Sequence, residues 1–148
     1  MALSILNIAL ADDDEDDRFL FKDAIDEIGI KTKLSVFKNG KELMDYLSLP
    51  NIILPEVVFL DLNMPIKNGM QCLQEIRENK NLKDLCVAIY STSSSENDIT
   101  DTFVKGANIY INKPSSFKDL KKALERVLQL NWQYHTSTLN QETFLLRL

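Results

Sequence analysis

Glycine and proline are scarce, four of each in 148 residues, and no low-complexity tract interrupts the chain. With 45% hydrophobic and 26% charged residues, that describes one ordinary globular domain rather than two. A fold of roughly 150 residues hides about 68–70% of the surface its unfolded chain exposes, so it stands without disulfides or a structural metal. Cysteine is nearly absent. Cys72 and Cys86 lie fourteen positions apart in apolar contexts, with no Cys-x-x-Cys and no Cys/His cluster, which excludes zinc and thioredoxin-like chemistry. Two reduced, buried thiols in a cytoplasmic protein are expected. Basic charge is also short, 17 Lys and Arg against 22 Asp and Glu for a net of −5, which argues against direct nucleic-acid binding. The apolar start, Met1 to Leu10, lacks a basic leader and runs into acids, so it reads as a strand rather than a signal peptide. No run approaches the roughly 18–20 apolar residues of a membrane span.

What is present is an alternation. Short aliphatic runs at Ile5–Ala11, Lys33–Phe37, Val57–Leu60, Leu85–Tyr90 and Asn108–Asn112 read as strands, the last three apolar almost throughout, as strands buried on both faces must be. Between them lie helical patterns. Phe19, Leu20, Ala24, Ile25 and Ile28 mark the first, ending at Gly29; Leu43, Met44 and Leu47 mark the second, over Lys41–Leu49 after Asn39-Gly40. Met70, Leu73, Ile76 and Arg77 mark the third, after Asn68-Gly69; Ile99 and Phe103 the fourth, over Glu96–Lys105 before Gly106. Leu120, Ala123, Leu124, Val127 and Leu128 mark the fifth, from Ser116 to about residue 130. Five such units predict an α/β three-layer sandwich, a flavodoxin-like (β/α)5 fold with parallel strand order 2-1-3-4-5.

Residues 131–148 fall outside this repeat, yet Trp132, Tyr134, Phe144, Leu145, Leu146 and Leu148 make them apolar. Two readings stand for this tail: packing on the domain's own last helix, or a contact with a second copy or partner.

In an open parallel sheet, ligands bind beyond the carboxyl ends of the strands, where strand order reverses. The first polar residues there are Asp12 and Asp13, Asp61, Ser91 and Lys113. Asp14 to Asp17 have an ordinary explanation as acids at a helix N-terminus. Asp12 and Asp13 do not. If they converge with Asp61, the carboxylates repel one another by on the order of several kcal/mol, and something positive must sit among them. Mg2+ fits best, since it accepts a few carboxylates, keeps several waters and leaves room for a phosphoryl oxygen. Lys113 would supply a second positive charge to a phosphoryl group on Asp61, and the Ser91 hydroxyl a hydrogen bond.

Four segments, Ala11-Asp-Asp-Asp14, Phe59-Leu-Asp-Leu-Asn-Met-Pro65, Ile89-Tyr-Ser-Thr-Ser93 and Gly106-Ala-Asn-Ile-Tyr-Ile-Asn-Lys-Pro114, resemble the signature segments of the two-component response-regulator receiver domain. The resemblance covers about residues 4–130, leaving 131–148 as a tail. It implies Asp61 as phosphoacceptor, with Asp13 and Asp61 as direct Mg2+ ligands. Asn63 would bind the ion through its backbone carbonyl and Asp12 through water. Ser91 is implied as the switch hydroxyl, Lys113 as the phosphate-pairing base and Tyr110 as the aromatic switch, although packing alone accounts for a tyrosine at that strand position. The Lys113-Pro114 bond is expected to be cis. Departures are mild: Asn68 for the commoner Asp, Ser91 for Thr, and a bulkier Thr92 that narrows the approach of phosphodonors.

Implied partners are a histidine kinase or histidine phosphotransfer protein and a downstream protein target, with no membrane. Eighteen residues cannot fold a DNA-binding or catalytic domain, so output is expected by protein contact or onward phosphate relay. The Ser93–Ile99 segment, the Ala-Asn-x-Tyr-x-x-Lys-Pro pattern and Trp132 are similar to small receivers that partner bacterial phytochrome kinases. Those often pair through the fourth helix, fifth strand and fifth helix, which raises a homodimer as an expectation. Two alternatives are a receiver-shaped adaptor that works without phosphate, and an aspartate-nucleophile phosphatase of the haloacid-dehalogenase type. The phosphatase needs a second acid two residues beyond its nucleophile, where this chain has Asn63. No Gly-x-x-x-x-Gly-Lys-Ser/Thr is present to hold a nucleotide. His135, without acidic or cysteine neighbours, is read as neither a metal ligand nor a relay histidine.

Overall fold

A computed structural model describes residues 5–129 and 144–146. Five strands, β1 (Leu6–Ala11), β2 (Thr32–Phe37), β3 (Val57–Leu60), β4 (Cys86–Ser91) and β5 (Ile109–Asn112), alternate with five helices. These are α1 (Glu15–Ile28), α2 (Gly40–Leu47), α3 (Gly69–Glu78), α4 (Glu96–Val104) and α5 (Phe117–Leu128). All pairings are parallel, in the order β2-β1-β3-β4-β5 that the alternation predicts.

Each helix starts where a short polar side chain can take up a free N–H. Asp14, Asn39, Asn68, Ser95 and Ser116 accept from the backbones of Asp17, Glu42, Gln71, Asp98 and Asp119, each cap contributing about 1 kcal/mol. Asn39 thus opens α2 rather than making a free turn, and Ser116 precedes α5 rather than belonging to it. Gly29 ends α1 at φ 81°, a left-handed conformation that Gly takes without a Cβ penalty.

The strands separate two apolar layers. Ala9, Val58, Leu60, Val87, Ile89 and Tyr110 pack toward Leu43 of α2 and Leu73 and Ile76 of α3. Ile8, Leu10, Val57, Phe59, Ala88 and Tyr90 pack toward α1 and α5. On α1 the buried stripe is Phe21, Ala24 and Ile25, with Ile28 partly covered, whereas Phe19 and Leu20 are exposed. The spacing i, i+3, i+4, i+7 selects Phe21 as the first inward position and turns Phe19 and Leu20 away from it. Phe21 meets Phe59 and Tyr90 edge-on at 5.0 and 5.6 Å, so its burial contributes about 2–3 kcal/mol. Cys72 and Cys86 are both buried and unpaired.

Arg77, at the end of α3, donates to the carbonyls of Lys83, Leu85 and Gly106 and to Asn108 Oδ1. It ties α3 to the loops that lead into β4 and β5. Leu85 closes a turn onto Leu82 instead of starting β4.

Phe144, Leu145 and Leu146 lie beside β5. Leu145 forms a parallel bridge with Tyr110, and the Leu146 N–H donates to the Tyr110 carbonyl at 2.9 Å. Trp132, Tyr134, His135 and Leu148 fall outside the described residues.

Candidate functional site

The register of β1 and β3 pairs Ala11 with Leu60, so the next residues, Asp12 and Asp61, emerge side by side at the carboxyl edge of the sheet. The Asp61 N–H donates to the Ala11 carbonyl at 3.0 Å and the Asp12 N–H to that of Phe37 at 3.0 Å, which fixes both backbones. Behind Asp61 there is no slack. A Cβ on Gly69 would collide with the Asp61 carbonyl and come within 2.8 Å of Leu62 Cα, so α3 begins on a residue without a side chain. The loop between turns at Ile66, φ 70°, where the Lys67 N–H donates to the Pro65 carbonyl at 2.7 Å across a strained three-residue turn.

Asp12, Asp13 and Asp61 each bring a carboxylate oxygen within 4.8 Å of the others. Asp12 is fully buried, Asp61 nearly so, and Asp13 exposed. The one ammonium among them is that of Lys113, 2.8 Å from Asp12 Oδ2, 2.9 Å from Asp17 Oδ2 and 3.4 Å from Asp61 Oδ2. It also lies 5.2 Å from the centre of the Tyr90 ring. Lys113 is aimed from β5, whose backbone continues past the last paired residues through Lys113 N–H to the Ser91 carbonyl at 2.8 Å.

Charge is unbalanced here. Three carboxylates face one ammonium, with Asp13 beside two of them, and two ionised acids about 4 Å apart repel by about 4 kcal/mol at an effective dielectric of about 20. Burial, which the Lys113 charge offsets only in part and to which the Asp12 charge adds, pushes Asp61 up to about 6. Lys113 is held above its ordinary range: burial opposes its charge, but the close carboxylates of Asp12, Asp17 and Asp61 prevail. The Asp12 Oδ2 atom is buried and meets Lys113 without hydrogen-bond alignment, so one oxygen at the floor of the site lacks a proper donor. An all-oxygen donor set with surplus negative charge fits a hard divalent cation.

Ser91 ends β4 and is fully buried; its Oγ accepts from the Ser93 N–H at 3.1 Å. Tyr110 is also fully buried, and its hydroxyl donates to the Ser93 carbonyl at 2.8 Å. Asn63 is exposed beside Asp61, with its N–H 3.5 Å from Asp61 Oδ1. The Lys113-Pro114 bond is trans, contrary to expectation; among the described residues no peptide bond is cis. An X-Pro bond prefers trans by about 0.5–1 kcal/mol, and with Lys113 already seated and Ser116 free to cap α5, nothing locally favours the other isomer.

Sequence reasoning missed three contributors. In sequence Asp17 reads as one more acid of a helix start, yet it lies one turn beyond Asp13 and so reaches Lys113. Arg18, one position on, donates to the Asp12 carbonyl at 2.8 Å. Asn112 donates to the Ser93 carbonyl at 2.9 Å, holding the loop that follows β4; alternation of side chains at the strand end was its only signal.

The chain is 31% identical over 130 residues to the probable methanogenesis regulatory protein FilR2 of Methanothrix harundinacea, covering 84% of each chain. The crystal structure of the Mn2+-bound form of response regulator Rcp1, a Synechocystis protein, matches with TM-score 0.75 and 29% identity, over 82% of this chain and 91% of that one. The phosphorylated cyanobacterial phytochrome response regulator RcpA matches with TM-score 0.78 and 28% identity, over 93% and 98%. The signature of the response regulator receiver domain extends over residues 8–125, and the chain belongs to that family, the phosphorylation-based switches of two-component signalling.

Proposed function

We propose that this receiver takes a phosphoryl group onto Asp61 from the phosphohistidine of a kinase or phosphotransfer protein and thereby changes its protein contacts. The observation that carries the reading is Lys113: its ammonium is drawn in from the end of β5 to Asp12 and Asp61, two of the three acids whose oxygens gather within 4.8 Å of one another. In the reaction, an Asp61 oxygen bonds to phosphorus as the donor's P–N bond breaks. The nitrogen leaves with the bonding pair and takes up a proton. Lys113 pairs with the oxygens of the transferring group, and the Ser91 hydroxyl donates to another of them.

Asp13, Asp61 and the Asn63 carbonyl would hold Mg2+ directly, and Asp12 through water. The ion, when bound, supplies positive charge to the phosphoryl oxygens and relieves the repulsion among the acids. Catalysis is positioning and electrostatics, and the chain acts on its own aspartate rather than turning over a free substrate. The acyl phosphate then biases Ser91 and Tyr110, reshaping the face formed by α4, β5 and α5, where a downstream target or a second copy would bind. Likeness to RcpA supports a phytochrome-type kinase as donor. The two unpaired thiols suit the reducing cytoplasm.

Incubation with Mg2+ and acetyl phosphate, followed by intact-mass measurement, tests this. The parent is expected to gain one phosphoryl group, and Asp61→Asn none. Equal labelling of both would overturn the assignment.

A further inference from the structure

We propose that residues 144–146 act as an intramolecular ligand of β5, such that their docking on Tyr110 and the loading of Asp61 strengthen each other. The proposal rests on the phosphoacceptor reading above. In the strand order, β5 has β4 on one side and an open edge on the other, a row of backbone groups that invites pairing. The tail takes that edge at Tyr110 by two independent contacts. One is through the backbone, the Leu145 bridge and the Leu146 N–H on the Tyr110 carbonyl. The other is through side chains. Phe144 is only 1% exposed, and its ring meets Tyr110 at 6.1 Å and Phe103 of α4 at 5.3 Å, both edge-on.

Tyr110 connects this seat to the acceptor. Its hydroxyl donates to the Ser93 carbonyl, and the Ser93 N–H donates to Ser91 Oγ. The Ser93 hydroxyl in turn donates to Asp98 at 2.6 Å, and Asn112 donates to the same Ser93 carbonyl. A phosphoryl group that engages the Ser91 hydroxyl leaves its oxygen free to keep the Ser93 N–H. The loop is then held in the form that accepts from Tyr110. Turning the Tyr110 ring outward would break the bond to Ser93 and give up the contact with Phe144. The buried tyrosine is therefore common to the docked tail and the loaded acceptor, and each favours the other through it.

The test is calorimetric titration with beryllofluoride at saturating Mg2+ on three forms: the parent chain, Phe144→Ala, and a chain ending at residue 143. Both variants are expected to bind about five- to tenfold more weakly than the parent. In the unmodified chain, Mg2+ with beryllofluoride is expected to slow hydrogen exchange of the Leu146 amide by a similar factor, because coupling is reciprocal. That second measurement requires no variant to fold. Affinities equal to or tighter than the parent's in both variants, or Leu146 exchange unchanged on loading, overturn the proposal. A parent that fails to bind beryllofluoride at all refutes the phosphoacceptor reading instead.

Discussion

Lys113 holds its ammonium nearer to Asp17, at 2.9 Å, than to Asp61, at 3.4 Å. Asp17 belongs to α1 and is part-exposed, so the pair is worth up to about 1 kcal/mol, enough to restrain Lys113 without immobilising it. In Asp17→Asn the ammonium has one competitor fewer and the site one negative charge fewer. Beryllofluoride at saturating Mg2+ is expected to bind about two- to fivefold more tightly, read by calorimetry. Weaker binding would show that Asp17 supports Lys113 rather than competing for it.

Asp61 is expected to contribute less stability to the metal-free fold at neutral pH than at pH 4. Its carboxyl, ordinarily near 3.8, is pushed up to about 6 by burial, with the Asp12 charge adding to it against Lys113. The folded chain then binds more protons than the unfolded one between those values, so this group's contribution to stability falls as pH rises from about 4 to 6 and levels off above. Urea unfolding in chelator is expected to show Asp61→Asn more stable than the parent by about 1–3 kcal/mol at pH 7, the gap closing toward pH 4. A gap independent of pH would count against the argument.

Removing the ammonium is expected to act in the opposite direction. Lys113→Ala leaves the fully buried Asp12 carboxylate without its cation, and loss of one partner of a buried pair costs about 3–5 kcal/mol. Chemical denaturation without metal measures this. Added Mg2+ is expected to restore part of the loss, since a bound ion stabilises in proportion to the logarithm of its concentration.

Gly69→Ala places a methyl group against the Asp61 carbonyl, backbone that cannot swing aside. The substitution is expected to destabilise by about 3 kcal/mol and to lower Mg2+ affinity together with it, because the displaced atoms carry the acceptor. Normal stability with normal Mg2+ binding would mean that α3 shifts freely.

Most of the architecture could be read from sequence because its determinants are local. Val57–Leu60 is apolar at every position and is buried at every position, and alternation with helical patterns then leaves few sheet orders. Boundaries and facing failed where a single turn decides. Phe19 and Leu20 are as apolar as Phe21, and only the spacing of Phe21 to Ala24, Ile25 and Ile28 distinguishes them, a phase that the packing of α1 on β3 and β4 makes plain. The meeting of Asp12, Asp13, Asp61 and Lys113 follows from the ends of their strands, which sequence does disclose. Asp17, Arg18 and Asn112 were hidden, since a helix start and a strand end give ordinary reasons for such residues. The trans Lys113-Pro114 bond shows the cost of carrying a geometry over by likeness when nothing local demands it.

Arg77 gives the molecule a mechanical asymmetry. Its guanidinium rivets α3 to the approaches of β4 and β5 at the end of the sheet remote from the acids, with three carbonyls and Asn108 as anchors. With the strand entries anchored in this way, a change at Asp61 is expected to be taken up at the strand exits, above all in the loop after β4 that Tyr110 and Asn112 hold through the Ser93 carbonyl.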